Sequence, residues 1–263
     1  MRTLGGSGVE AGALGFGAAA IGNLHTEVDE EQARAAVPAS HRRVWDLSAD
    51  GVRRSLEAGL ERLGLDRVDV VHLHDPDDHA EQALREGYPA LKELRAQGVV
   101  GAIGAGMNQS EMLTRFVRDT DVDVVLCAGR YTLLDQRART ELLPAAAERG
   151  VSVVIGGAFN SGLLADPRPG ATYNYVSAPP ELVDHAQCMK AVADRHGLTL
   201  RGAALRFCAD HPAVASVLVG TRSADEVRDC AEQFAAPVPA RFWQELRDTG
   251  LLPREEPSRE AMP

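Results

Sequence analysis

The sequence predicts an α/β fold of the TIM-type (β/α)8 barrel kind, in an incomplete form with about six recognisable strands. Three observations predict it. Short, nearly continuous runs rich in Val and Ile recur along the chain, amphipathic segments carrying helix signals lie between them, and one interval is too short and too polar for the strands it should hold. Runs that are apolar throughout suit parallel strands covered on both faces. Strand–helix alternation implies a parallel sheet with right-handed crossovers.

Taken in order, a short N-terminal hairpin leads to a first strand around residues 14–18, within the apolar stretch 11–20. Further strands are expected at 68–73, 99–103, 122–127, 151–155 and 214–219. Ser48 is placed to N-cap a helix over 49–63 and Gly64 to end it. A helix over 81–97 is stopped by Gly98, Ser110 is placed to cap 111–118, and 139–149 runs into Gly150. Helices at 182–196 and 201–209 precede the last strand, and Ser223 is placed to cap 224–234. The Pro/Gly-rich stretch 167–180 reads as disordered loop, with Tyr173 and Tyr175 as the alternative cover of a site.

A closed barrel needs eight strands, so two are missing. From residue 68 onward strands mostly arrive every 25 to 35 residues or so, roughly what a βα unit requires. Only about 50 residues separate the first strand from the one at 68. That interval holds a short helix over 29–37 and then a linker beginning Pro38-Ala39-Ser40-His41-Arg42-Arg43, with no apolar run. The helix meets Pro38 without a Gly or Asn cap, so the chain reads as spliced between Val37 and Pro38. Such a loss leaves open edges on the first strand and on the strand at 68. Each uncovered core side chain costs on the order of 1.5–3 kcal/mol. The sheet must then close differently, swap elements or dimerise, which leaves a homo-oligomer open. Residues 1–263 are otherwise expected to form one domain, with 253–263 as a polar, frayed tail.

The length of 263 residues is ample for one large core. A formal net charge of -10 argues against nucleic acid and anionic membrane as partners. No run of about 18 apolar residues exists to span a membrane, and residues 1–10 lack the basic and apolar regions of a signal peptide. Cys127, Cys188, Cys208 and Cys230 have no metal-ligand spacing and read as free thiols of a cytoplasmic protein. A small-molecule substrate and no metal are the expectation.

The segments Leu14-Gly15-Phe16-Gly17, Ser55-Leu56-Glu57 through Arg62-Leu63-Gly64-Leu65-Asp66, and Asp69-Val70-Val71-His72-Leu73-His74-Asp75-Pro76 resemble aldo-keto reductase signatures, in order. So do Gly101-Ala102-Ile103-Gly104-Ala105-Gly106-Met107-Asn108 and Val219-Gly220-Thr221-Arg222-Ser223. The details at 106–109 and 129–135 are similar to the branch that oxidises sugars such as L-fucose and D-threo-aldoses. The resemblance implies hydride transfer between NAD or NADP and an aldose or small aldehyde or ketone. It also implies a tetrad of Asp, Tyr, Lys and His, with the tyrosine exchanging the proton at the carbonyl oxygen.

His74, at the end of a strand, matches the family histidine; the alternative is a structural histidine. His72 points the same way by the period-two rule and reads as core or as support for His74. The family's aspartate, tyrosine and lysine belong to the missing elements. The only lysines, Lys92 and Lys190, sit on helix faces, Tyr88 belongs to a helix, and Tyr131 matches a family position outside the tetrad.

For the cofactor, the resemblance assigns Gly220, Thr221, Arg222 and Ser223 to the adenosine-phosphate end, where a loop opens a helix and its dipole favours phosphate. Asp229 suits adenine, and Gly106, Met107 and Asn108 occupy the nicotinamide side. Arg222 can face a 2′-phosphate, but Glu226 stands where many NADP-preferring members carry a further arginine, which points to NAD rather than NADP. Ala128 replaces a glutamine and Gly156 a stacking tyrosine; Phe159 either fills that space or is core. The loop at 75–79 reads as a solvated, helix-capping turn, with a metal or sugar-hydroxyl site as the alternative, and Trp45 as packing rather than a substrate platform. Three functional readings stand: an oxidoreductase whose working form carries a further segment, a catalytically silent relative that binds nucleotide or a protein partner, and an enzyme with a rebuilt site in which His74 itself exchanges the proton.

Overall fold

The computed structural model describes residues 1–17 and 45–253. Residue 18 of the expected first strand, the expected helix over 29–37, the junction at 37/38 and the tail beyond Pro253 lie outside the described residues.

The strands are β1 (Arg2–Thr3), β2 (Glu10–Ala11), β3 (Leu14–Gly17), β4 (Val68–His74), β5 (Val100–Met107), β6 (Val124–Ala128), β7 (Ser152–Gly156), β8 (Thr172–Tyr173), β9 (Val176–Ser177) and β10 (Val214–Gly220). β1 and β2 form the expected N-terminal hairpin. The six longer strands make one parallel sheet in the order β3-β10-β7-β6-β5-β4. This is the strand succession of an incomplete barrel. Among the described residues β3 pairs only with β10 and β4 only with β5, so the two strands flanking the polar interval are the sheet's edges.

The helices are α1 (Ala49–Leu63), α2 (Tyr88–Ala96), α3 (Ser110–Asp119), α4 (Leu142–Arg149), α5 (Pro180–Arg195), α6 (Leu200–Ala209), α7 (Ala224–Ala235) and α8 (Ala240–Asp248). α1 begins and ends as its sequence dictates. Ser48 Oγ accepts the Gly51 N–H at 3.0 Å, and Gly64 takes the left-handed conformation at φ 64°. Thr199 and Ser223 cap α6 and α7 in the same way.

The continuous helix expected over 81–97 is interrupted. A 3-10 turn at Asp77–His79, one α turn at Ala80–Gln82 and a π turn at Ala83–Gly87 precede α2. Pro89, the second residue of α2, has no N–H to return to the preceding turn, which favours a local change of hydrogen-bond pattern. Ser110 is not a cap either. It is buried as the first residue of α3, and its carbonyl accepts the Thr114 hydroxyl at 2.8 Å.

Two elements escaped the sequence. α8 carries Phe242 and Leu246 into a cluster with Met189, Leu163 and Leu164. β8 and β9 form a hairpin inside the stretch expected to be disordered, turned by left-handed Asn174 and Tyr175. The Tyr173 hydroxyl donates to Asp135 at 3.1 Å, tying the hairpin to the loop after β6.

The main core lies between sheet and helices, around Ile103, Phe116, Leu142, Leu143 and Ile155. β5 is built of small residues for a reason. A Cβ at Gly104 would stand 1.6 Å from the Val124 carbonyl oxygen and 3.2 Å from the His72 ring. Replacing Gly104 by Ala therefore forces β5 from its neighbours, at a cost of about 3 kcal/mol, readable as a lowered urea midpoint.

His72 lies beside this strand with its Nε2 buried and without a hydrogen-bond partner. Burial, aided by the nearby His74 charge, pushes its pKa down from 6.5 to about 4. The unfolded chain thus takes up a proton at a pH where the folded protein does not. Stability is full above about pH 6.5 and falls as the pH drops toward 4. The loss between pH 6.5 and pH 5 is on the order of 2 kcal/mol. His72→Leu should flatten that acid limb, measured as urea midpoints at the two pH values; an unchanged limb assigns it to other groups.

Candidate nucleotide and substrate site

Parallel pairing sets the carboxyl ends of the strands along one edge of the sheet. His74 is level with Gly106, Met107 with Cys127, Ala128 with Gly156, Gly156 with Leu218, and Gly220 with Gly17. In β/α barrels this is the end that carries chemistry.

His74 closes β4, and its side chain is 66% exposed. Its Nδ1 lies 3.5 Å from the Asp75 carboxylate. Asp75 is held in a left-handed conformation (φ 42°), with its N–H bonded to the Gly106 carbonyl at 2.8 Å. The Trp45 ring stacks on His74 at 6.4 Å and 11°, and His79 lies on Trp45 at 5.8 Å. Trp45 is 41% exposed, so the residue read as packing forms an aromatic wall between two imidazoles. Its position in a linker before a capped helix carried no signal for that. The loop at 75–79 does not cap a helix through its side chains; Asp77 instead accepts the Gln109 amide at 2.6 Å. No group of residues suited to a metal ion occurs among the described residues.

A slot of about 380 Å³ runs from His74 along the open edge of β4. Val68, Val71 and His72 line one side, and Leu56, Leu60 and Leu63 of α1 the other. A closed barrel would continue at this edge.

The tyrosines and lysines take up other work. Tyr88 hydrogen-bonds Asp121, and Lys92 pairs with the same carboxylate at 3.1 Å. Asp121 precedes β6, at the opposite end of the sheet from His74. Lys190 pairs with Asp194 within α5 at 2.7 Å. Tyr131 is buried against Phe207, and Tyr173 is bonded to Asp135. Burial pushes the Cys127 thiol up to about 12 and raises Cys208 as well, so neither is a nucleophile.

At the far end of the mouth, Gly220, Thr221 and Arg222 line a pocket of about 300 Å³ together with Phe159, Gly162, Arg201, Glu226 and Asp229. Ser223 Oγ accepts the Glu226 N–H at 3.2 Å, which fixes the start of α7 beneath the loop. Glu226 also accepts the Arg222 backbone N–H at 2.7 Å and meets its guanidinium at 3.3 Å. Asp229, expected at adenine, is ion-paired with Arg201 at 2.8 Å. A helix N-terminus beside a buried threonine suits a phosphate-bearing group, although both guanidiniums of the pocket are already paired, Arg222 with Glu226 and Arg201 with Asp229.

The other three candidates sit apart from this pocket, on and just after β5. Gly106 and Met107 end the strand, and the Met107 side chain is fully buried in the core. Asn108 donates to the Ala128 carbonyl at 2.8 Å. Phe159 belongs to the pocket wall and also touches the core. Next to it, Asn160 is left-handed (φ 47°), donates to Gly129 at 3.3 Å, and keeps a buried Oδ1 without a partner.

The aldo/keto reductase family model matches residues 39–250. The chain is 44% identical over 220 residues to a D-threo-aldose 1-dehydrogenase of a Pseudomonas species, covering 82% of this chain and 67% of that one. It is 38% identical over 222 residues to a pyridoxal 4-dehydrogenase of Microbacterium luteolum, covering 80% and 65%. The chain thus spans about two thirds of the length of these relatives. An aldo-keto reductase from Bacillus halodurans, solved in its holo form, superposes with a TM-score of 0.71 over 99% of both chains at 23% identity. With this match over most of its length, the chain belongs to the aldo/keto reductase family.

Proposed function

We propose that the protein is a cytoplasmic, NAD-dependent oxidoreductase that oxidises a sugar of the aldose type, with His74 exchanging the substrate proton. The observation that carries this reading is the pocket formed by Gly220, Thr221 and Arg222 over the start of α7, at the same sheet edge as His74. Kinship with an aldose dehydrogenase at 44% identity supports the substrate class.

NAD bound at this edge would supply the hydride acceptor. Thr221 and the backbone amides opening α7 that Glu226 leaves open would hold its phosphates, and the Phe159 face would pack against it. His74 is the exposed proton-transferring group at the other end of the mouth, with Asp75 beside its Nδ1 and Trp45 against its ring. It would accept the hydroxyl proton as the carbon–hydrogen bond breaks, and the Trp45 face offers an apolar surface for a sugar ring. The preference for NAD rests on Glu226, whose carboxylate already takes the Arg222 backbone N–H and guanidinium. A 2′-phosphate would have to displace it and would meet its negative charge.

The test is sugar-dependent reduction of NAD by the purified chain, followed at the nicotinamide absorbance with D-threo-aldoses and L-fucose. His74→Gln should lower kcat by about 100-fold or more while leaving NAD affinity unchanged. An effect on KM alone would remove His74 from proton transfer. Nucleotide binding without any sugar-dependent reduction would support the catalytically silent relative instead. Glu226→Gln should raise NADP affinity about tenfold relative to NAD, because Arg222 is then free to face the 2′-phosphate; an unchanged ratio would place the selectivity elsewhere.

A further inference from the structure

A third cavity, of about 320 Å³, is lined by Tyr131, Arg139, Phe207, Asp210, His211 and Trp243, and the proposed nucleotide pocket uses none of these. His211 lies just before β10 and Gly220 ends it, so the length of that strand, about 20 Å, separates His211 from the nucleotide loop.

Its walls are aromatic and come from separate segments. Phe207 of α6 stacks on Tyr131 at 5.1 Å, Trp243 of α8 lies 6.1 Å from Phe207, and His211 meets Tyr131 edge-on at 5.5 Å. Arg247 also lines it, and Arg139 supplies further charge. Its guanidinium makes a long bond, 3.4 Å, to Gln136, and among the described residues no carboxylate lies within ion-pairing distance of it. Asp210, the acid on the wall, is already paired with Arg206. Burial, with the neighbouring Arg139 charge, pushes the His211 pKa down, so the ring is a neutral part of the wall.

Flat aromatic faces take a flat ring, and a guanidinium fork takes a carboxylate through two parallel hydrogen bonds. The volume is at the small end of ligand pockets, with room for one ring. We propose that this cavity binds a small planar aromatic carboxylate, its ring against Phe207 and Trp243 and its carboxylate on Arg139.

Trp45 and Trp243 are the two tryptophans, so in a Trp45→Phe background the emission reports on the cavity alone. Benzoate should quench Trp243 saturably, with a Kd of about 1 mM or below. Benzamide, which keeps the ring and lacks the charge, should bind about tenfold more weakly. Arg139→Gln should bring benzoate to the affinity of benzamide and leave benzamide unchanged, which also shows that the variant keeps the cavity. Absence of saturable quenching, or benzoate binding that Arg139→Gln does not weaken, overturns the proposal.

Discussion

Everything at the candidate site depends on the parallel register of the six-stranded sheet. Because each strand ends level with its neighbour, His74, Gly106, Ala128, Gly156 and Gly220 form one edge although they are far apart in sequence. The register in turn depends on close approach between strands. Gly104 admits no Cβ against the Val124 carbonyl, and that contact fixes where β5 sits between β4 and β6. A shift of one residue would send every side chain to the other face.

Among the described residues the same sheet stops at a definite place. β3 and β4 are its edges among the described residues, and the slot along β4 opens onto α1 where a closed barrel would continue. His72 shows the local consequence: its buried Nε2 has no partner, a cost that a neighbouring strand or a ligand would remove. The two ends of the mouth are affected unequally. The pocket at Gly220 rests on β10 and α7, flanked by β3 and β7, whereas His74 stands at the edge of the described strands. The pocket over the start of α7 is therefore flanked on both sides, whereas His74 has a neighbouring strand on one side only among the described residues.

Much of this was legible in the sequence. The β-branched runs placed five strands of the sheet, and the apolar stretch 11–20 the first, to within a few residues. Ser48 and Ser223 marked their helices through side-chain geometry that is local to a few residues. What the sequence hid was tertiary. Trp45 stacks on His74 only because the chain entering α1 passes the end of β4. Ser110 looked like a cap but is buried in α3, and α8 is amphipathic toward a cluster assembled from α5 and α6. The role of Glu226 was half visible: its charge could be read, but not that its carboxylate already holds Arg222.

The central proposal is that the pocket over the start of α7, beside the six described strands, holds an NAD-type nucleotide. The direct measurement is calorimetric titration of the chain, its intact mass checked at 28.1 kDa, with NAD and with ADP-ribose. The account predicts that both bind, with Kd values of about 1 mM or below, and that Thr221 and the first turn of α7 gain amide-exchange protection. No heat of binding by either ligand at several times that concentration, with no protection at Thr221, would contradict it.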